Sequence, residues 1–156
     1  MTPGTFLFDN KFKFKDGKTG EKIFVVLNNG ACGYYLAIKT TSRGDRYGIQ
    51  HGCQVLDRFP NFHYVKGSCF LSKNTWVQLD SFFEFEKSKL IQNVINGEIR
   101  NIGVLLTSQT IELLTCVSHA EDLSGAQEKI VLETIQTLKE VESLSLIHIS
   151  EPTRPY

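Results

Sequence analysis

The sequence predicts a single α+β domain, in which a small, strongly bent sheet or barrel is followed by C-terminal helices. The first observation is composition, since 11 Phe and 5 Tyr accompany only 1 Met, a bias toward β structure. The second is a change of pattern: short apolar segments alternate with turns early in the chain, whereas apolar residues recur at helical spacing near its end. At 156 residues and 41% hydrophobic content, the chain can bury one core.

The first half of the chain predicts strands that are separated by turn residues. A β-forming run at 4–9 continues into 11–15, where lysines alternate with phenylalanines. Segments 23–27 and 34–39 predict two further strands, and Gly- and Asn-containing segments between the strands predict turns. Additional short strands are expected around 47–49, 63–65 and 69–71.

The segment Thr75–Leu90 begins with a clear alternation of side chains. Val77 and Leu79 are predicted to face a core. Gln78 and Asp80 are predicted to face a surface groove beside Trp76, although an ordinary solvated strand face is the alternative.

The remaining segments predict mostly helix. Residues 90–96 suggest one or two helical turns that Asn96-Gly97 stops, and 99–102 suggests a short strand. Capping residues then predict two helices, the first beginning at Thr107 or Ser108 and the second at Asp122 or Ser124.

Charge is balanced overall but unevenly distributed. Residues 1–75 carry eleven Lys/Arg and five Asp/Glu, whereas residues 76–143 carry five and eleven. Such asymmetry is typical of a nucleic-acid-binding half, although the two halves can equally neutralise each other in the fold. No apolar run has the length of a membrane span and no signal peptide is evident, so a cytoplasmic chain is expected.

The four cysteines form no CxxC pair, so free thiols and no metal site are expected in a cytoplasmic chain. A weaker alternative is a small zinc-stabilised domain, because zinc ligands fall within a short stretch. Their spacing matches no common zinc finger. These residues are His51, Cys53, His63 and Cys69.

The tail differs from the rest of the chain. Residues 144–154, LSLIHISEPTR, resemble a translated sequencing-library adapter. We therefore expect the natural sequence to be interrupted near Ser143, and residues 144–156 to be a non-native tail without function.

Four motifs in a fixed order resemble the PemK/MazF family of toxin-type endoribonucleases. They are the opening GTFLF run with its later Asp-Gly turn, KIFVVL at 22–27, Thr-Thr-Ser at 40–42, and WVQLD at 76–80 running into KSKL at 87–90. The resemblance covers roughly residues 4–106. Many members have Arg just before the central strand, where this chain has Lys22. Several members have Arg two residues before the strand Asp, where this chain has Gln78.

The resemblance implies an SH3-like β-barrel at about 4–106 with helices at about 107–142, within one domain of residues 1–143. It implies the toxin of a type II toxin–antitoxin system, usually a homodimer, that cleaves single-stranded RNA without a metal or other cofactor. A cognate antitoxin protein would occupy the RNA groove.

Metal-free RNA cleavage requires a base at the ribose 2′-OH and donors at the phosphorane. Asp80 is the candidate base, with Lys22 as a point charge and Thr41 as a hydroxyl donor. The candidate substrate-binding residues supply a second hydroxyl, a planar guanidinium grip, polar contacts and an aromatic surface for unpaired bases. They are Ser42, Arg43, Arg46, Gln78 and Trp76.

Each of these residues also has an ordinary structural explanation. Hydroxyls at a loop commonly satisfy backbone groups, and lysines and loop arginines are commonly solvated. The functional alternative is therefore a catalytically inactive barrel that acts as an RNA- or protein-binding module.

Overall fold

The computed structural model describes the backbone of residues 1–150 and the side chains of residues 1–144. In this part of the chain it contains seven strands and three helices, which confirms the α+β class. None of its helices combines the length and the apolar composition that a membrane span requires. The elements are β1 Thr5–Lys13, β2 Thr19–Val26, β3 Tyr34–Thr41, β4 Gly52–Gln54, β5 Asn61–Tyr64, β6 Thr75–Glu86, α1 Lys87–Ile95, β7 Ile99–Val104, α2 Thr107–Val117 and α3 Gly125–Ser150.

The strands form one antiparallel sheet in the order β4-β5-β6-β3-β2-β1-β7. Within the described residues, β4 pairs with β5 and β7 pairs with β1, and these two edges are not joined to each other. The described sheet is therefore open, and it does not close into the β-barrel that the resemblance implies. A barrel requires its edge strands to pair, and β4 is only three residues long.

Most strands lie where the sequence places them, but the region between β3 and β6 differs. Segments 47–49 and 69–71 are loops rather than strands, and β4 is an unpredicted strand. Tyr47 illustrates why: its ring stacks at 6.1 Å from the ring of Trp76, so a tertiary contact overrides its β propensity. The predicted cap of the last helix is confirmed, because Ser124 and Gln127 exchange two hydrogen bonds at the start of α3.

Both faces of the sheet bury apolar side chains. On one face, strand residues such as Val25, Ile38 and Val77 cluster with Leu113 of α2 and Val131 of α3. On the other face, a second cluster joins β-strand phenylalanines and Tyr35 to Leu90 of α1. The prediction that Val77 and Leu79 face a core is confirmed, since both are almost fully buried.

A large bulge interrupts the pairing of β3 with β6. Thr40 pairs with Val77 and Ile38 pairs with Phe82, so Lys39 alone stands opposite residues 78–81. Within the bulge, the Leu79 N–H donates a hydrogen bond to the carbonyl of Pro60. The first part of β6 thereby pairs with both β5 and the end of β3.

The expectation of four free cysteines is wrong. A disulfide joins Cys53 of β4 to Cys116 of α2, whereas Cys32 and Cys69 are free. Sequence spacing gave no indication of this pair, because the two cysteines are 63 residues apart and meet only when α2 packs beside the edge of the sheet. The bridge holds a three-residue edge strand, which has few ladder bonds of its own.

Reduction of this disulfide should destabilise the fold. Closing a loop of this length lowers the chain entropy of the unfolded state by an amount worth about 4 kcal/mol at 25 °C. Thiol titration of the denatured, non-reduced protein should count two thiols, and Cys116→Ser should lower the urea midpoint. The matched control Cys32→Ser should leave the midpoint unchanged, and a count of four thiols would rule out the bridge.

Residues 144–156 should be dispensable for stability. Leu138 is the last described residue of α3 that packs against the core, while Val141 and Leu144 are 53% and 67% exposed. Part of the tail, 151–156, lies outside the described residues. A chain ending at Ser143 should lose no more than about 1 kcal/mol in urea unfolding. A control ending at Thr134, which removes Ile135 and Leu138, should lose more. A loss of several kcal/mol on ending the chain at Ser143 would mean that the tail packs as part of the domain.

Candidate functional site

A cleft of about 670 Å³ lies where β2 begins and β3 ends. It is lined by three cationic residues, by hydroxyl side chains and by one carboxylate. The cations are Lys22, Arg43 and Lys73; the hydroxyl residues are Thr40, Thr41, Ser42, Ser72 and Thr75; the carboxylate is that of Glu21. Four of the residues selected from sequence meet here, namely Lys22, Thr41, Ser42 and Arg43.

The pairing of β2 with β3 brings these groups together. Phe24 pairs with Lys39, and continuing this register by two residues places Lys22 opposite Thr41. Thr40 fastens the strand end, because its hydroxyl donates a hydrogen bond of 2.9 Å to the Ile23 carbonyl. The cleft is therefore built on the first half of β2 and the end of β3, with Lys73 supplied by the loop before β6.

Lys22 is the half-buried cation of this cleft. Burial, reinforced by the like charges of Lys39 and Arg43, lowers the pKa of its ammonium group below the ordinary value. Asp9 of β1 pairs with Lys22 of β2. The Asp9 carboxylate accepts a hydrogen bond from the Lys11 N–H, and Asp9 borders a different pocket. The charges that contribute to the lowered pKa of Lys22 are those of two cations, and an anion in the cleft would relieve their repulsion.

The hydroxyl of Thr41 remains able to donate. Its Oγ1 accepts a hydrogen bond of 3.1 Å from the Arg43 N–H, which fixes the turn after β3. An accepting hydroxyl still carries its own hydrogen, so Thr41 can donate to an anion beside Lys22. Together the Thr41 hydroxyl and the Lys22 ammonium provide directed donors as well as positive charge, the combination that binds phosphate oxygens.

The other predicted polar residues lie outside the cleft lining. Asp80 is exposed within the β6 bulge. Strand β3 lies between β6 and β2, which carries Lys22. Arg46 is exposed and lies over the rings of Tyr47 and Phe59, at 5.4 and 4.8 Å from their centroids. The structure therefore does not place Asp80 or Arg46 beside Lys22.

Trp76 and Gln78 are buried rather than exposed, so the predicted surface groove beside them is wrong. Each is 6% exposed because the loop after β3 covers them. The Trp76 Nε1–H donates to the Gly48 carbonyl at 2.9 Å, and the Gln78 amide donates to the Tyr47 hydroxyl at 3.1 Å. The ring of Trp76 also stacks on His63 at 4.4 Å, so both sides of it are occupied.

Sequence reasoning missed several members of the cleft. Lys73 and Ser72 lie in the polar loop before β6, and Glu21 lies beside Lys22 at the start of β2. Only the polar composition of 72–74 could have drawn attention to that loop. As for the zinc alternative, no cluster of three metal-ligating side chains occurs within the described part of the chain, and Cys53 is committed to the disulfide.

The chain matches none of the protein-family models and none of the curated proteins with which it was compared.

Lys22 gives anion binding a distinctive pH dependence. Because the pKa of Lys22 is lowered, its ammonium group loses its proton at a lower pH than an ordinary lysine does. The neutral amine no longer attracts an anion, so the affinity of the cleft for an anion falls at the same pH. Inorganic sulfate keeps a constant charge between about pH 7 and about pH 10, so its affinity can be followed by NMR titration. Wild type should lose affinity for sulfate toward the upper end of this range, whereas Lys22→Arg, which stays charged, should keep more of its affinity.

The control for this experiment is Lys18→Arg, a change at an exposed lysine outside the cleft. It should follow the wild-type pH curve. Identical curves for all three proteins would show that Lys22 does not hold the anion.

Proposed function

We propose that this chain binds single-stranded RNA through the cationic cleft and cleaves it without metal, as a toxin-type endoribonuclease similar to the PemK/MazF family. The observation that supports this most is the half-buried Lys22 beside Lys39 and Arg43, with free hydroxyl donors next to it. The three cations of the cleft outnumber its single carboxylate, Glu21, and a phosphodiester backbone would compensate them because it supplies successive anions at short spacing. The kinship with SH3-like barrels is part of this proposal, although the sheet here is open.

The proposed reaction uses the ribose 2′-OH as nucleophile. The bond from O2′ to phosphorus forms while the bond from phosphorus to O5′ breaks, which leaves 2′,3′-cyclic phosphate and 5′-OH ends. Lys22 and Arg43 stabilise the charge that develops on the non-bridging oxygens, and Thr41 and Ser42 donate hydrogen bonds to it. A carboxylate takes the 2′-OH proton, and solvent water donates a proton to the departing O5′.

Two carboxylates compete for the role of base. Asp80 is favoured by the family resemblance and by its place in the β6 bulge, because bulges occur often beside active sites and redirect a side chain. Glu21 is favoured by position, since it lines the cleft itself. Asp80 lies on β6 and Glu21 on β2, so each carboxylate can be replaced without changing the other.

A second function is a non-catalytic module that binds RNA or protein with the same cleft. It is favoured by the position of Asp80, which is outside the cleft lining, and by the burial of Gln78 and Trp76. In this case the cationic groups bind a phosphate backbone, or an acidic segment of a partner, without chemistry.

The partners and setting of the toxin proposal are a cognate antitoxin, a homodimer and the cytoplasm. The cationic cleft would attract an acidic antitoxin segment in competition with RNA. In the cytoplasm thiols are normally kept reduced, so the Cys53–Cys116 bridge would form there only under oxidising conditions.

Cleavage in EDTA tests the proposal and identifies the base. Purified protein should cut single-stranded RNA with EDTA present, and the cut ends should carry cyclic phosphate and 5′-OH. Loss of a general base typically lowers the rate about 10²–10⁴-fold, so either Asp80→Asn or Glu21→Gln should show this loss while the other does not. Asp57→Asn, a change at an exposed loop carboxylate, is the matched control.

Binding without cutting separates the two functions. If RNA binds with a steep salt dependence but stays intact in EDTA, the non-catalytic module is the correct function. If RNA neither binds nor is cut, the endoribonuclease and the RNA-binding module are both excluded, and only a module that binds an acidic protein segment is left.

A further inference from the structure

A buried polar face lies next to the cationic cleft, on the first part of β6 and on β5. Asn61 pairs with Gln78 and His63 pairs with Trp76, so all four side chains share one face of the sheet. Each of them is at most 6% exposed. Amide and imidazole groups are seldom buried together without a ligand or a complete set of hydrogen bonds.

The cover of this face is the loop of residues 44–50. Gly44 allows the close approach, because a Cβ there would meet the ring atoms of Trp76. The loop is held by three side chains of the buried face: Trp76 and Gln78 bind Gly48 and Tyr47, and His63 Nδ1 lies 3.1 Å from the Gln50 carbonyl. Most of the loop side chains are themselves exposed, so the cover is a thin layer rather than part of the core.

Three polar atoms beneath this loop have no partner in the described residues. They are Asn61 Oδ1, Gln78 Oε1 and His63 Nε2. Because Nδ1 of His63 faces a carbonyl oxygen, the network assigns its hydrogen to Nδ1 and leaves Nε2 as an acceptor in the neutral ring. The site therefore presents three acceptors and needs a ligand that brings N–H donors.

The same strand register connects this face to the cleft. Thr41 pairs with Trp76, and the continued β2–β3 register places Lys22 opposite Thr41. Lys22, Thr41, Trp76 and His63 thus form one cross-strand row, in which Trp76 is two strand spacings, about 10 Å, from Lys22. A nucleotide whose phosphate lies at Lys22 and Thr41 can direct its base, or that of its neighbour, toward Trp76.

We propose that Asn61, His63 and Gln78 form a base-recognition subsite, which opens when the 44–50 loop lifts and selects bases that carry an amino group. Adenine, cytosine and guanine offer exocyclic N–H donors to the three acceptors, and Trp76 offers a stacking surface once Tyr47 withdraws. Uracil fits poorly, because it has one N–H and two carbonyl oxygens that would face acceptors. This inference rests on the proposed binding of RNA.

The test uses 2′-O-methyl oligonucleotides, which lack the nucleophile and so report binding alone. Wild type should bind oligo(A) and oligo(C) at least about tenfold more tightly than oligo(U), in line with the discrimination that a good base contact provides. Gln78→Met should reduce the affinity for oligo(A) and oligo(C) toward that for oligo(U). Gln92→Met, an exposed change on α1, is the control and should keep the wild-type preference.

The variant Tyr47→Phe provides a second test, which is valid even if Gln78→Met does not fold. Tyr47 is on the loop and only half-buried, and loss of its hydroxyl removes one of the bonds that hold the loop closed. This variant should bind oligo(A) and oligo(C) more tightly than wild type does.

Two negative outcomes are distinguishable. Equal binding of the three oligonucleotides by wild type, or a preference that survives Gln78→Met, would mean that the acceptors hold only ordered water, and would overturn the subsite while leaving RNA binding intact. Failure of every oligonucleotide to bind would overturn the proposed function, and this inference with it.

Discussion

The bulge between β3 and β6 is the constraint on which the arrangement of the site depends. One residue of β3, Lys39, stands opposite four residues of β6, so the register between these two strands shifts partway along β6. Before the bulge, Trp76 and Gln78 are paired with β5 and covered by the loop after β3. Inside it, Asp80 turns out to solvent, and beyond it Phe83 and Phe85 join the second core cluster.

Electrostatic repulsion is concentrated at one end of this sheet. Lys22 and Lys39 come from neighbouring central strands, and Arg43 follows directly after β3. Like charges that act on one another destabilise the folded state, and such repulsion is typical of a site that trades stability for binding. The apolar clusters on both faces of the sheet, and the bridge from Cys53 to Cys116, stabilise the scaffold that holds these charges in place.

The local sequence pattern predicted those strands and helices whose burial or capping depends on residues close together in the chain. The alternation of Val77 and Leu79, the apolar run of β2 and the cap at Ser124 each correspond to the observed element, because burial and capping are read from neighbouring residues. Partners distant in sequence were not predictable in this way. The disulfide, the bulge and the loop that buries Trp76 all depend on contacts between segments many residues apart.

The candidate site was predictable to the same extent. Lys22, Thr41 and Ser42 were selected through the family resemblance and Arg43 as the residue just after them, and the pairing of β2 with β3 brings them to one cleft. Lys73 and Glu21 were missed, since nothing in their immediate sequence distinguishes them from solvated charges. Gln78 was expected at the surface because alternation shows that a side chain points away from the core, but not that a distant loop covers it.

The most direct test of the central claim is to map where RNA binds by amide chemical-shift perturbation, with a short 2′-O-methyl oligonucleotide as ligand. If the cleft holds the phosphate, the largest shifts should fall on Lys22, on residues 41–43 and on Lys73. Shifts confined to the exposed lysines of 11–18, or no shifts at all, would contradict the account.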